Sequence, residues 1–512
     1  MAIAAIPCSA DEILPSDISR RIDQRLGLTE NDGSHFATHS DFLRRVTLDL
    51  VGRIPSISEV HDYDSNTSEL RRSDTIRRLM HSGVYYRNMA TFWRRSWVPQ
   101  ADTREFAAVT DNFELWLGRR LQERVPYDKL VTEILTLDAS PGAKPHATPV
   151  GFYEANQSKP ENLAASSTRA FLGINLDCAQ CHNHPFSRWT REQFWQTAAF
   201  FARPTMDGDQ QPQPPKVRVP DTDLEYQPVL LTKNEIHWPQ KLDSVALRRV
   251  LVDWMQTDQE RLLAKNAVNR LWAHFFGEAI IEPMDDLSRD EFRAGDRADL
   301  LNDLAAAFIT SGYNLDVVVE GIVGSNAYRL KSYTETLPAK VAADVTEGST
   351  PSSPEVAPRF ELVRASVRGL TGEQLYDSLQ TAAGLPAERT DVSGGSARGR
   401  RRDFAATFYV ERAHSAERSI SQALTLMNGS FVNELSTSRG NQMLASVVKS
   451  PFMSFDEQID TIFIATLGRH VDKSELQVVK RNFDSSPDVP RDQHLGNLFW
   501  VLVNSAEFNT NH

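Results

Sequence analysis

The sequence predicts a mainly α protein, with two packed helical domains joined by a proline-rich crossover and a haem-c-like attachment loop in the first domain. Three observations carry the fold prediction. Apolar residues recur at three- and four-residue spacing through most of the chain. No convincing series of alternating strands interrupts them, so helix packed on helix is the economical architecture. Pro204, Pro212, Pro214, Pro215, Pro220, Pro228 and Pro239 crowd residues 203–243, where a regular helix cannot continue. A chain of 512 residues is long enough to divide into more than one core. The expected division is 17–202 for the first domain, 203–241 for the crossover and 242–512 for the second domain, with loops near 336–358 and 386–403.

Taken in order, Ile18, Ile22 and Leu26 form one helical stripe, with Ser16 as the expected N-cap. Ser40 stands in the same relation to Phe42, Leu43, Val46 and Leu50, and Gly52 and Pro55 close that segment. Further helices fit 72–81, 107–122, 127–137 and 162–175. Trp93, Trp97, Phe106, Phe113 and Trp116 make an aromatic-rich region, suited to core or interface packing and, as the competing use, to a flat haem face or ligand pocket. Within the crossover only short extended pieces such as "KVRV" are expected. "ALRRVLVDWM" and "NAVNRLWAHFFG" resume the helical pattern, the second ending at Gly277. Helices at 298–311 and 315–329 follow. Pro338 and "GSTPSSPEVAP" break the chain at about 336–358, and the basic "VSGGSARGRRR" reads as a solvated loop at 392–402. The remaining helices are expected at 419–428, 439–449, 455–467, 473–483 and 491–504.

Composition excludes several classes. A formal net charge of -12 argues against a general nucleic-acid surface. No run of eighteen apolar residues is present to span a bilayer. Three cysteines are too few for a disulfide scaffold, and Cys8, away from the other two, reads as a free thiol or an intermolecular link. The opening "MAIAAIPCSADEILP" lacks the basic and apolar regions of an intact secretory signal. The fingerprints of serine hydrolases, zinc metalloproteases, phosphate-binding loops and dinucleotide folds are not found.

The chemistry-bearing stretch is "CAQCHNHPFSRW", residues 178–189. In the pattern C-x-x-C-H, Cys178 and Cys181 offer two thiols for thioether bonds to haem vinyl groups, and His182 offers an adjacent imidazole for the iron. The three must lie close in sequence because they meet one rigid macrocycle. "ENLAASSTRAFLGINLD" before it and "REQFWQTAAFF" after it both read as helices able to hold the loop against an apolar plane. Zinc is the physical competitor, with Cys178, Cys181, His182 and His184 as ligands, although four ligands from so short a segment make a cramped loop and the usual second half-site is missing. A reversible dithiol is the third reading, and a loop without cofactor the fourth. His184 is too near His182 to reach the opposite face of one haem. Remote axial candidates are His274, His414, His512 and Met427, and an open axial position is equally allowed.

"ERAHSAERS" gathers Glu411, Arg412, His414, Glu417 and Arg418 before a helix. His414, Glu417 and Arg418 are the tentative catalytic or pocket residues, by proton exchange at the imidazole or anion clamping at the guanidinium, against a plain helix-entry salt-bridge network. Glu282, Asp285 and Asp286 in "EPMDD" are close in sequence but assign no glycosidase pair.

Several separated motifs add a family resemblance. "DFLRRVTLDLVGRIPS" and "KPENLAASSTRAFLGINLDCAQCHNHPFSRWTREQFWQTAAFF" lie in the first half. "NAVNRLWAHFFGEAIIEPMDD", "ERSISQALTLMNGS", "TLGRHV" and "LFWVLVNSAEF" lie in the second. In this order they make the chain resemble, over nearly its whole length, the planctomycete cytochrome-like family with paired domains of unknown function numbered 1549 and 1553. The resemblance implies two associated helical domains, export to the periplasm or beyond, and covalently attached haem c at Cys178, Cys181 and His182, but no particular reaction. Where the family often carries a "CECER"-like sequence this chain reads "VERAHSAER". Glu417 and Arg418 match its end, while the family's cysteines have no counterparts, so no thiol-based second site is carried over. The expected function is electron transfer or redox chemistry with a redox partner or small-molecule substrate. The alternatives are a zinc-stabilised interaction or carbohydrate-associated module, and a haem enzyme of unknown substrate.

Overall fold

The computed structural model describes residues 13–29, 36–102, 107–138, 148–184, 187–206, 212–289, 293–332, 366–386, 395–408 and 419–512. These are mainly helical, as the apolar periodicity predicts. Among them, strands occur only as short antiparallel pairs: Thr205–Met206 with Pro212–Gln213, Val217–Arg218 with Glu225–Tyr226, and Arg368–Gly369 with Thr510–Asn511. The first two pairs fall in the proline-rich crossover, and Val217–Arg218 is the "KVRV" piece.

The helices gather into two compact units that are interleaved along the chain. One comprises Met1–Gly27 and Tyr86–Ser325, the other Leu28–Tyr85 and Asn326–His512. These units cut across the sequential division at 203–241.

In the first unit, the Pro15–Leu26 helix begins one residue before the expected cap. Pro15 takes the first helical position, where its missing N–H costs nothing, so Leu14 occupies the N-cap and its N–H bonds the Asp17 carboxylate at 3.0 Å instead of Ser16 serving as cap. Ile18 and Ile22 are fully buried. The Leu315–Gly324 helix packs on them so closely that a Cβ at Gly321 would stand 2.5 Å from that of Ile18, and Ser19 Oγ donates to the Gly321 carbonyl at 2.7 Å. The expected helix 315–329 stops there, followed by a single turn at Ala327–Arg329.

Aromatic side chains fill this unit's core. Trp93 lies 5.2 Å from Trp97 and 5.3 Å from Tyr127 between ring centres, and Trp97 lies 5.5 Å from Phe171, which continues to Phe152 at 5.7 Å. All five are buried. Phe113 and Trp116 stack 5.6 Å apart as a separate pair. Phe106 lies outside the described residues. The packing reading of the aromatic stretch therefore describes these rings.

In the second unit, the His39–Val51 helix is buried over Phe42–Val51. Its cap is Thr38, whose Oγ1 accepts from the Asp41 N–H at 3.2 Å, and Ser40 lies inside the first turn rather than at the cap. Gly52 closes it in the left-handed conformation, as expected. This helix carries three buried ionic groups. Arg44 donates to the carbonyls of Glu507 and Phe508, both at 2.9 Å, and Arg45 to those of Tyr328 and Leu330 at 2.7 and 2.8 Å. Asp49 accepts from Tyr328 Oη at 2.6 Å, Arg368 Nη2 at 2.9 Å and Asn511 Nδ2 at 2.7 Å. These bonds tie all three groups to distant chain segments, which makes "RRVTLD" a clamp on the strand pair formed by residues 368–369 and 510–511. Leu48 and Ile54 share one apolar core with Leu375, Leu379, Ile459, Ile462 and Phe499.

The loop expected at 386–403 is in part a helix, Gly395–Thr407. Its last turns supply the reason. Phe404 packs 5.5 Å from the Tyr376 ring and 4.7 Å from that of Phe408, Ala405 and Phe408 are buried, and Arg401 makes a two-pronged bond to Asp377 at 2.9 and 2.7 Å. Tertiary burial at one end overrides the weak helix propensity of the glycine- and serine-rich start.

Candidate functional site

The C-x-x-C-H loop sits between two helices of the first unit. Upstream, the Pro160–Ser167 helix widens into a π-helical turn, Thr168–Leu172, rather than running regularly to 175. Such a turn leaves carbonyls to be satisfied from elsewhere. Side chains of the Leu262–Phe276 helix do so: Asn266 Nδ2 donates to the Ala170 carbonyl at 2.7 Å and Arg270 Nη2 to that of Arg169 at 2.9 Å.

Gly173 then ends the turn with φ +61°, and its carbonyl accepts from the Leu287 N–H at 2.9 Å. A Cβ here would meet Leu287 Cδ1 at 2.9 Å, so both the backbone conformation and the close approach call for glycine.

The loop itself is anchored residue by residue. Asp177 opens a tight turn with its N–H on Asn175 Oδ1 at 3.2 Å and its carboxylate on Arg169 Nη1 at 2.7 Å. Ala179 is buried beneath it, whereas Cys178, Cys181 and His182 are exposed. Trp195 Nε1, from the Arg191–Ala198 helix, donates to the Gln180 carbonyl at 3.2 Å. The Arg191 N–H bonds Asn183 Oδ1 at 3.0 Å, and the His184 N–H bonds the Trp189 carbonyl at 2.8 Å. Trp189 is itself buried with Nε1 on Ser288 Oγ at 3.0 Å. Thr190 and Gln193 form a reciprocal capping box that starts the downstream helix. The backbone is thus fixed from below and from both sides, with the three reactive side chains on its outer face.

Both thiols are free. His182 Nδ1 lies 2.8 Å from the Asn183 carbonyl oxygen. A carbonyl only accepts, so Nδ1 is the donor here, and Nε2 is the ring nitrogen left to face a metal. The chain matches two family models: "Protein of unknown function (DUF1549)" over residues 17–205, and "Protein of unknown function (DUF1553)" over residues 247–483.

The chain carries this pair of domains.

The DUF1549 part contains the whole C-x-x-C-H loop and both helices that flank it, while the DUF1553 part supplies Asn266, Arg270 and Leu287, which satisfy the turn above it. No curated protein and no solved structure matches the chain.

The other candidates are placed as follows. His274 packs its ring 4.5 Å from Phe92 in the first unit. Met427 and His512 belong to the second unit; the Met427 carbonyl accepts from Trp500 Nε1 at 3.2 Å, and burial with nearby Arg44 pushes the His512 imidazole below its usual value. His414, Glu417 and Arg418, like Glu411, Arg412 and Cys8, lie outside the described residues. The "EPMDD" carboxylates are held by neighbours: Asp285 by Arg270 at 2.5 Å, Asp286 by Arg289 at 2.5 Å, and Glu282 by the Ala279 N–H at 3.1 Å. Among the described residues no group of three or more His, Cys, Asp or Glu side chains is arranged to hold a metal ion, and no helix is long and apolar enough to cross a membrane.

Sequence reasoning missed the anchors of the loop, namely Arg169, Asn266, Arg270, Trp195 and Ser288. Trp195 stood in the expected downstream helix, but nothing in its spacing distinguishes an indole that reaches a loop carbonyl from ordinary core.

Proposed function

We propose that this protein binds haem c through Cys178 and Cys181, with His182 as the proximal ligand, and serves in electron transfer or redox chemistry outside the cytoplasm. The observation that carries this reading is the joint presentation, on one anchored turn, of two free exposed thiols and an imidazole whose Nδ1 is already bonded to a carbonyl. Cys178 and Cys181 would hold the group by thioether bonds, each reduced thiol adding its sulfur and hydrogen across one vinyl group, which would need no oxidant. The exposure of Cys178 and Cys181 lets an attachment enzyme reach them. When bound, such a group supplies one-electron chemistry at its iron. The Asn183 carbonyl fixes the orientation of the His182 ring.

The test is intact-mass and metal analysis of protein matured with its native export signal and haem-attachment machinery. The expected result is one covalent haem per chain, absorption bands that change on reduction, loss of the adduct in Cys178→Ala with Cys181→Ala, and an altered ligand field in His182→Ala. Unmodified thiols with stoichiometric zinc, or a reversible Cys178–Cys181 disulfide, would overturn it.

A further inference from the structure

The first unit also holds a cavity of about 160 Å³ whose walls are tied to the C-x-x-C-H segment at both ends. Leu287, one of its apolar walls, bonds Gly173 just before the loop, and Glu260, at its polar side, holds Arg188 just after it at 3.2 Å. Leu262, Ile281 and Leu301 complete the apolar lining. A volume of this size is enough for a benzene-sized body.

The charges in and around the cavity are unbalanced. Glu260 is shared by two guanidinium groups, Arg188 and, at 2.9 Å, Arg293. Lys265, on the cavity wall, is half-buried, and among the described residues its ammonium has no hydrogen-bond or ion-pair partner. Glu260 and then Asp258 act on Lys265 through space as opposite charges, and Arg261 and Arg293 act on it as like charges, so with Arg188 four cations face two carboxylates. A desolvated ammonium without a partner is costly unless something anionic joins it. Burial accordingly pushes Lys265 below its usual value, and it pushes Asp258 up.

We propose that this cavity is a binding site for a small organic carboxylate, its charge on Lys265 and its apolar body against Leu262, Ile281, Leu287 and Leu301. An inorganic anion would leave the apolar walls unused, and an uncharged analogue would leave Lys265 without its counter-charge. Because the walls include the hydrogen-bond partners of Gly173 and Arg188, a bound carboxylate also steadies residues 173–189, whether or not a haem is attached there.

The experiment is calorimetric titration of the whole chain with benzoate, with benzamide as the uncharged isostere and inorganic phosphate as the anion without an apolar body, followed by hydrogen exchange with and without benzoate. Saturable one-to-one benzoate binding is expected with a Kd below about 1 mM. Benzamide, phosphate and the Lys265→Gln variant should each bind about tenfold or more weakly. Amide exchange in 173–189 should slow. The wild-type comparison of benzoate with benzamide needs no variant, so it stands even if Lys265→Gln fails to fold. Equal binding of benzoate and benzamide, undiminished binding by folded Lys265→Gln, or no saturable benzoate binding overturns the proposal.

Discussion

At the scale of single residues, hydrogen bonds can outweigh the cost of burying an ionic group. Glu59 shows the balance. Burial raises its carboxyl, but Arg53, at 2.7 and 3.1 Å, and Ser56, whose N–H is at 2.8 Å, more than reverse this and hold it at about 2, against an ordinary 4.5. A carboxyl depressed in the folded state contributes stability above its unfolded value and loses it as pH falls through the folded one. The contribution is on the order of 3 kcal/mol at neutral pH, and it should disappear between about pH 4.5 and pH 2. Urea unfolding of wild type and Glu59→Gln across that range should show a gap that closes on acidification; a gap independent of pH would remove Glu59 from this role. The same scale separates what is readable from what is not in the candidate site. Cys178, Cys181 and His182 stand out because their spacing is itself the chemistry. Asn266 and Arg270 do not, because their task is to meet carbonyls that only the folded π-helical turn leaves free.

At the scale of elements, periodicity located most helices and local stereochemistry decided their ends. Phe455–Leu467 spans the expected residues, with Ser454 capping it and Gly468 closing it. The starts at 15 and 39 differ from expectation because Pro15 takes the first helical position ahead of Ser16, and Thr38 caps in place of Ser40, an equally good cap by residue type alone. The Gly395–Thr407 helix was not legible because its apolar face, Phe404, Ala405 and Phe408, is confined to its last turns. Gly173 is the element end on which the C-x-x-C-H loop depends. Gly173→Ala should cost about 1–2 kcal/mol from the left-handed backbone alone, with more from the contact with Leu287. Denaturant unfolding should register the loss, and amide exchange at 174–184 should quicken. Wild-type stability and exchange in the variant would mean that the turn relaxes without disturbing the loop.

At the scale of the whole molecule, the sequential order of helices and their grouping in space part company. Residues 36–85 precede the proline-rich segment, yet Leu48 and Ile54 belong to the core that holds Ile459 and Phe499, and Arg44 is bonded to carbonyls at 507 and 508. The Pro15–Leu26 helix likewise packs on Leu315–Gly324. Cutting the chain within 203–241 should therefore leave two pieces that each lack part of a core. Neither piece alone should show a cooperative calorimetric transition, whereas the intact chain should; two independent cooperative transitions from the separated pieces would contradict the interleaving. What the sequence by itself determined is the mainly helical class, the positions of most helices and the single C-x-x-C-H cluster, because helix formation and close-spaced ligation are governed by neighbours a few residues apart. Only the tertiary structure decided which helices share a core, which side chains brace the loop, and that Lys265 borders a cavity. Those outcomes depend on contacts between residues tens to hundreds of positions apart, and burial and hydrogen bonding at that range leave no periodic trace along the chain.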